Sequence, residues 1–300
     1  MKLKVAKETI EVTHPEKLLF PKAKLTKSDF VAYYQKIAPL MLPHIKDRPI
    51  TMHRFPDGVT GEMFYQKDAP DFFPAYIPLQ PVEKSSGGIV QYPLINTQAA
   101  LVYLANYVCV PHVWLSREPK LNYPDRMIFD LDPAPGASFA LVKWTAQELK
   151  KLLEAIGLSV FVMTTGSRGL HVVVPLKQKD LFDDVRDFAK EVAQYLIHKY
   201  PEKLTLEVRK HARGTKIFLD ILRNAWSATA IAPYAVRAQE GAPIATPVHW
   251  HELARIDSAQ KYTIKTIFQR IARVGDPWKD IAMHASTVTQ ARKKLALLTS

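Results

Sequence analysis

The sequence predicts an α+β fold, helices packed on a largely antiparallel sheet, and three observations predict it. From residue 126 onward the apolar pattern runs strand, helix, strand, strand, helix, strand, strand, switching between a period of two and a period near 3.6. The successive strands are divided by short turns, Gly166-Ser-Arg-Gly169 and the basic Arg209-Lys-His-Ala-Arg-Gly214. The composition, 47% hydrophobic and 23% charged over 300 residues, supplies apolar side chains for one large or two modest cores.

Taken in order, the first stretch is basic, with Lys17, Lys22, Lys24 and Lys27. Thr26 with Asp29 three residues on has the form of a capping box, and Phe30, Tyr33, Tyr34 and Ile37 mark the helix it opens. Pro39 and Pro43 are expected to end that helix. Residues 48–80 read as short strands and turns: 48–54 alternates, Pro56-Asp-Gly58 signals a turn, and Met63-Phe-Tyr65 is extended. Aromatics interleaved with Arg54, Lys67 and Lys84 suit base stacking beside a phosphate track, although most such rings serve the core. Ser85-Ser-Gly-Gly88 is a flexible loop. Asn96 or Thr97 caps a helix through Leu101, Leu104 and Ala105, and an extended segment over 108–115 carries His112.

The segment Asp125-Arg-Met-Ile-Phe-Asp-Leu-Asp-Pro133 is the centre of the functional reading. Met127, Phe129 and Leu131 alternate with Ile128, Asp130 and Asp132, so a β-strand turns one apolar face to the core and two carboxylates the other way. Two like charges held that close both stay ionised only with a cation between them, and a hard divalent ion, Mg²⁺ or Mn²⁺, fits. Pro133 ends the strand. Ser138 caps a helix with Leu141, Val142, Leu149, Leu152, Leu153 and Ile156 on one face, and Gly157 sits where a C′ glycine belongs. The strand 160–165 leads through the glycine turn into the strand 170–175. A helix with Leu181, Val185, Phe188, Val192, Tyr195 and Leu196 follows, then strands near 205–208 and 216–221. The tail is helical from Ser258, with Ile264, Ile267, Phe268 and Ile271 in a stripe, and 286–298 forms a second segment.

Two further constellations carry chemistry. In Thr164-Thr-Gly-Ser-Arg-Gly-Leu-His171, a tight turn exposes backbone N–H groups, Thr165 and Ser167 add hydroxyls, and Arg168 and His171 add charge or donors, as a phosphate chain requires. Neither a P-loop nor a G-x-G-x-x-G is present. In Lys216-Ile-Phe-Leu-Asp-Ile-Leu-Arg223, Asp220 faces away from Ile217, Leu219 and Ile221, which makes it a third strand-borne acid followed by a base. Three carboxylates, a phosphate-binding turn and a basic surface point to metal-assisted phosphoryl transfer on nucleic acid.

Composition agrees. Lys plus Arg number 41 against 29 Asp plus Glu, a net charge of +12 that suits a polyanionic partner; an anionic membrane surface is the rival. Residues 1–13 lack an apolar h-region, so they are not a signal peptide, and the most apolar run, 99–115, is broken by Asn106, Pro111 and His112 and is no membrane span. Cys109 is the single cysteine, which excludes an intrachain disulfide and a Cys-based zinc site. His249-Trp-His251-Glu252 lacks further spaced ligands for zinc. A cytoplasmic protein is expected.

Asp130-Leu-Asp132-Pro, Thr165-Gly-Ser-Arg-Gly-Leu-His171, Phe218-Leu-Asp220 and Thr229-Ala-Ile-Ala-Pro-Tyr234 together resemble the signature blocks of the polymerase domain of bacterial ligase D, in the archaeo-eukaryotic primase superfamily. The similarity runs from His14-Pro-Glu-Lys17 to the tail. The resemblance implies a primase-like catalytic unit, mostly antiparallel sheets flanked by helices with the active site on a sheet face. Asp130, Asp132 and Asp220 match metal-binding carboxylates at a two-metal site for Mn²⁺ or Mg²⁺. Thr165, with Gly166 and Ser167, stands where the family usually has serine on the nucleotide phosphates, and Arg168 stands where lysine is frequent. His112, His171, Arg223, Thr229 and Arg237 match residues around the incoming nucleoside triphosphate. Arg54 replaces a usual lysine near the ribose or phosphate. Lys17 and Lys27 match a pair that grips the 5′-phosphate of a downstream strand, with the free N–H groups of the adjacent helix N-terminus expected to help. Phe64 or Tyr65 matches an aromatic that stacks at the template bend. The loop at 85–88 resembles one that acts when two broken ends meet.

The resulting expectation is one primase-like domain over 1–300, comprising a DNA-binding portion over about 1–125, a catalytic core over about 126–257 and C-terminal helices over about 258–300. Its function is addition of nucleotides to DNA 3′ ends in non-homologous end joining, with a ribonucleotide preference and with Ku and a DNA ligase as implied partners. A de novo primase and a non-catalytic DNA end-binding module are the alternatives. No K-x-D-G motif occurs, so the chain reads as a stand-alone polymerase or an excised domain.

Overall fold

In the computed structural model, which describes residues 1–84 and 86–299, Thr26 and Asp29 form the expected capping box: Thr26 N donates to Asp29 Oδ2 at 2.8 Å and Asp29 N to Thr26 Oγ1 at 3.3 Å. Strands β1 (Lys2–Val5), β2 (Glu8–Glu11), β3 (Leu18–Phe20) and β4 (Leu25–Thr26) precede the helix they open, α1 (Lys27–Ile45). Then come β5 (Ile50–Arg54), β6 (Phe64–Gln66), β7 (Leu79–Glu83), β8 (Ile89–Pro93), α2 (Gln98–Asn106) and β9 (Cys109–Trp114). They are followed by β10 (Arg126–Pro133), α3 (Phe139–Ala155), β11 (Phe161–Thr164), β12 (Leu170–Pro175), α4 (Phe182–Lys199), β13 (Leu204–Thr205) and β14 (Ile217–Asp220). The chain closes with β15 (Thr229–Ile231), β16 (Thr246–Val248), α5 (Ile267–Val274) and α6 (Val288–Thr299). The α+β class and the largely antiparallel pairing are as predicted. Among the described residues no helix is long and apolar enough to cross a membrane.

The chain divides into two units. The first comprises Met1–Trp114, Thr229–Ala245 and Tyr262–Ala272, and the second comprises Leu115–Ala228, Thr246–Lys261 and Arg273–Ser300. The first unit holds a four-stranded sheet in the order β15-β9-β5-β6 and the second a six-stranded sheet in the order β13-β14-β10-β12-β11-β16.

In the first unit α1 does not stop at Pro39 or Pro43 but runs on to Ile45. A mid-helix proline leaves the carbonyl four residues earlier without its N–H. For Pro39 that carbonyl belongs to Gln35, and the Gln98 side-chain amide donates to it at 2.8 Å. Burial of Met41 past Pro39 and of Ile45 past Pro43 carries the apolar stripe onward. Thr97, not Asn96, caps α2, with Ala100 N donating to its Oγ1; Asn96 pairs with Asp47. The β7–β8 hairpin, not predicted from the sequence, pairs Leu79 with Pro93 through Glu83 with Ile89, although Pro81 and Pro93 have no N–H to give a ladder. In its loop Ser85 lies outside the described residues, and Gly87 and Gly88 take φ of +87° and +84°. The tail helix begins at Ile267 rather than Ser258, because the backbone of residues 262–264 bonds to residues 242–244 instead.

In the second unit β10 buries Met127, Phe129 and Leu131 and leaves Asp130 and Asp132 half-buried, as the alternation predicts. Ser138 caps α3. At its end Gly157, φ +87°, donates to Glu154 O while Leu158 donates to Leu153 O, the paired bonds of a Schellman cap. The strand expected near 205–208 is only Leu204–Thr205, and it pairs parallel with β14. Residues 206–216 instead form a loop with one 3₁₀ turn, Lys210–Ala212.

Candidate active site

The second unit's sheet brings the three acids to adjacent strands. In the antiparallel β10–β14 pairing Asp130 lies opposite Asp220 and Asp132 opposite Phe218, so all four side chains share one face. The β10–β12 pairing places His171 opposite Asp130 on the other flank. His171 Nε2 is 3.5 Å from Asp130 Oδ2, and Arg223 Nε is 3.5 Å from an oxygen of both Asp130 and Asp220. Burial raises the Asp220 pKa; Arg223 opposes the shift and the Asp130 charge adds to it.

Asp132 is held differently. Arg168 Nη2 donates to its Oδ1 at 3.0 Å and Arg213 Nη1 to its Oδ2 at 2.9 Å. Among the described residues, no three His, Cys, Asp or Glu side chains converge as a ready metal site. The three predicted acids share one sheet face, and arginine counter-charges lie on Asp132. The donor set still fits a hard divalent ion, since it is all carboxylate oxygen, and Asp130 and Asp220 already converge on one cationic side chain.

The glycine turn joins β11 to β12 as an antiparallel hairpin. Gly166 takes φ +66°, and a Cβ at Gly169 would overlap the Leu131 carbonyl oxygen, so only glycine lets the turn lie against β10. Thr165 was expected to offer its hydroxyl to phosphate. That hydroxyl is buried and spent on the turn, donating to Gly169 O at 3.0 Å and accepting from Ser167 N and Gly169 N. Arg168 is the outward group of the turn, its side chain 49% exposed.

In the first unit, strand register sorts the remaining candidates onto two faces of one sheet. His53 lies opposite Tyr65, and Thr51 opposite His112, which lies opposite Ile231 on β15; Thr229 therefore shares the His112 face. The Tyr65 ring stacks on His53 at 4.6 Å and meets His112 edge-on at 5.4 Å. Burial lowers the His53 pKa, and the Arg237 charge lowers it further. Arg54 is on the opposite face, across from Phe64 and Cys109, its guanidinium 3.5 Å over Tyr107 and 5.5 Å from Phe64. His53 thus shares the His112 face, and Arg54, expected near the ribose or phosphate, lies on the other. Phe64 and Tyr65, which the sequence could not tell apart, serve different faces.

Lys17 and Lys27 are joined through the backbone, while their ammonium groups take different partners. Lys27 N donates to Lys17 O at 2.8 Å, Lys17 Nζ pairs with Asp57 at 2.6 Å, and the buried Lys27 Nζ reaches Thr13 Oγ1 at 2.9 Å. Burial, with Lys17 and Arg54 adding repulsion, lowers the Lys27 pKa to about 8. The helix N-terminus offers no free N–H here: Lys27, Ser28 and Asp29 donate to Lys17 O, Pro15 O and Thr26 Oγ1. Any anion would therefore meet ammonium groups rather than backbone.

Two residues of this architecture escaped the sequence reading. Asn224 is fully buried and pairs like a peptide with Ile128, accepting from its N and donating to its O at 2.8 Å each, which fixes Arg223 beside the acids. Arg213 was read only as part of a basic turn. An asparagine just past a strand end was the available signal for Asn224; Arg213 had none.

Comparison with known proteins decides the family. The profile of the LigD primase-polymerase domain matches residues 26–278. The chain belongs to that family. Its chemistry is accordingly nucleotidyl transfer of the primase–polymerase type. The chain is 31% identical over 290 residues to the multifunctional non-homologous end joining protein LigD of Pseudomonas aeruginosa, covering 95% of this chain and 34% of the relative. It is 30% identical over 272 residues to the bifunctional non-homologous end joining protein LigD of Bacillus subtilis, covering 90% and 44%. It therefore spans between a third and a half of the length of these relatives. A solved polymerase domain from Mycobacterium tuberculosis ligase D, in complex with DNA, matches with a TM-score of 0.86 and 33% identity over 92% of this chain and 99% of that one.

Proposed function

We propose that this domain adds nucleotides, with ribonucleotides preferred, to DNA 3′ ends and fills gaps during double-strand break repair by non-homologous end joining. The observation that carries this reading is the opposition of Asp130 and Asp220 across neighbouring strands, with Asp132 on the same face. When bound there, Mg²⁺ or Mn²⁺ would supply the Lewis acidity that lowers the pKa of an attacking 3′-hydroxyl and offsets charge on the leaving pyrophosphate. Asp130, Asp132 and Asp220 would hold it. Arg168, the exposed cation of the glycine turn, and Arg223, on the turn anchored by Asn224, are suited to the triphosphate oxygens. In the first unit, the face bearing His53, His112 and Thr229, with the Arg237 charge acting on His53, is proposed as nucleotide-contacting.

The Lys17–Lys27 pocket, with Arg54 and Phe64 on the neighbouring sheet face, is proposed to bind the downstream strand of a gap by its 5′-phosphate. The relatives' names place those proteins in non-homologous end joining; Ku and a DNA ligase as partners at broken ends, and a cytoplasmic location, belong to the same proposal. Extension of a gapped, 5′-phosphorylated duplex, with each metal and each sugar type, tests this. Primer extension dependent on Mn²⁺ or Mg²⁺ is expected, strongest with ribonucleotides and with the 5′-phosphate present. Binding of such DNA without any extension would overturn the catalytic reading in favour of an end-binding module.

A further inference from the structure

Arg213 is a guanidinium only 4% exposed at the edge of the carboxylate face. Its Nε donates to Glu207 O at 2.8 Å and its Nη2 to Val208 O at 2.6 Å, and its plane lies 4.1 Å over the Phe218 ring. The remaining nitrogen, Nη1, donates to Asp132 Oδ2 at 2.9 Å. Phe218 is the cross-strand partner of Asp132, so the ring that seats the guanidinium and the acid it grips form one registered pair. Arg168 reaches the other oxygen, Oδ1, from an exposed turn. The two arginines divide the carboxylate between a fixed contact and an exchangeable one.

We propose that Arg213 is the permanent positioning residue of Asp132, pinning Oδ2 so that Oδ1, once Arg168 leaves it, is presented to a divalent cation in one orientation. This rests on the metal-assisted reading of the three acids. An aspartate χ2 torsion is broad and roughly two-fold, so a half-exposed carboxylate otherwise samples many orientations. Fixing one oxygen removes that ordering cost from cation binding. A guanidinium clamped by two backbone carbonyls and a ring cannot follow the ion, whereas Arg168 can swing away to phosphate. A mere electrostatic competitor has the opposite sign: deleting a nearby positive charge strengthens cation binding.

The sign is therefore the test. Mn²⁺ alone is titrated into the full chain without nucleotide, with free Mn²⁺ read by electron paramagnetic resonance and folding checked by thermal melt. Arg168→Ala is expected to tighten Mn²⁺ binding severalfold, and Arg213→Ala to weaken it about tenfold despite losing a positive charge. Arg213→Lys, which keeps the charge and loses the fork, is expected to weaken binding at least threefold, and it decides the matter if Arg213→Ala does not fold. Unchanged or tighter binding in a folded Arg213 variant would overturn the inference while leaving the three-acid site standing. Absence of Mn²⁺ binding by the parent chain would overturn the metal reading and the inference with it.

Discussion

Asp130 and Asp220 face each other across an antiparallel strand pair, and a single nitrogen, Arg223 Nε, lies 3.5 Å from an oxygen of each. The sheet spends folding energy to hold two acids together, and that cost is measurable. Burial, with Asp130 adding to it and Arg223 opposing it, raises the Asp220 pKa above 3.8. As pH rises past the unfolded-state value, the unfolded chain ionises first, so this group subtracts stability at neutral pH. Each unit of raised pKa is worth about 1.4 kcal/mol. Asp220→Asn should therefore melt higher than the parent at neutral pH in the presence of a chelator. The gain should shrink as pH falls toward 4 and below, and nucleotide addition should be lost. A melting point that does not rise, or retained extension, counts against the arrangement.

The glycine turn makes a steric prediction. Since a Cβ at Gly169 meets the Leu131 carbonyl, Gly169→Ala must lift the turn from β10. The expected cost is about 1–3 kcal/mol in denaturant unfolding, together with loss of nucleotide affinity. Thr165→Ser, which keeps the hydroxyl that ties Ser167 and Gly169, should bind nucleotide nearly as the parent does. Thr165→Val, which removes it, should not. Equal nucleotide affinity in all three variants would mean the turn takes no part in binding.

The lysine pocket makes a pH prediction. A lysine whose pKa lies near 8 loses its charge about 2.5 pH units before an ordinary one at 10.5. Preference for gapped DNA with a 5′-phosphate over a 5′-hydroxyl should decline on the order of tenfold between about pH 7 and about pH 9, as one charge-assisted contact is lost. Lys27→Arg should flatten that decline. Linkage gives the companion sign: the unfolded chain keeps this proton to about 10.5, so the group's contribution to stability rises with pH between about 8 and about 10.5. Anisotropy titrations at fixed salt check the first, and melts the second.

Helix α1 allows a double-mutant cycle. Gln98→Leu removes the donor to the Gln35 carbonyl and should destabilise by about 1 kcal/mol. Pro39→Ala restores a backbone N–H to that carbonyl, so Gln98→Leu should cost less in its presence. Strict additivity of the two changes would show that Gln98 does not compensate for the proline.

The sequence by itself determined what depends on a few neighbouring residues. The alternation over 126–132 put Asp130 and Asp132 opposite the core side of a strand, Thr26 and Ser138 capped their helices, Gly157 closed one, and 165–169 formed a turn. These are outcomes of backbone torsion preference and local hydrogen bonding, legible at a range of a few positions. Only the tertiary structure decided which distant groups meet. Strand register set Asp130 against Asp220, 90 residues apart, and a one-position step put His53 rather than Arg54 beside His112. Gln98 rescued a proline-broken helix, and Arg213 left its loop to take hold of Asp132. Those contacts arise from the shared packing of whole sheets, where each side chain's place depends on every other strand's register. No local pattern along the chain encodes them.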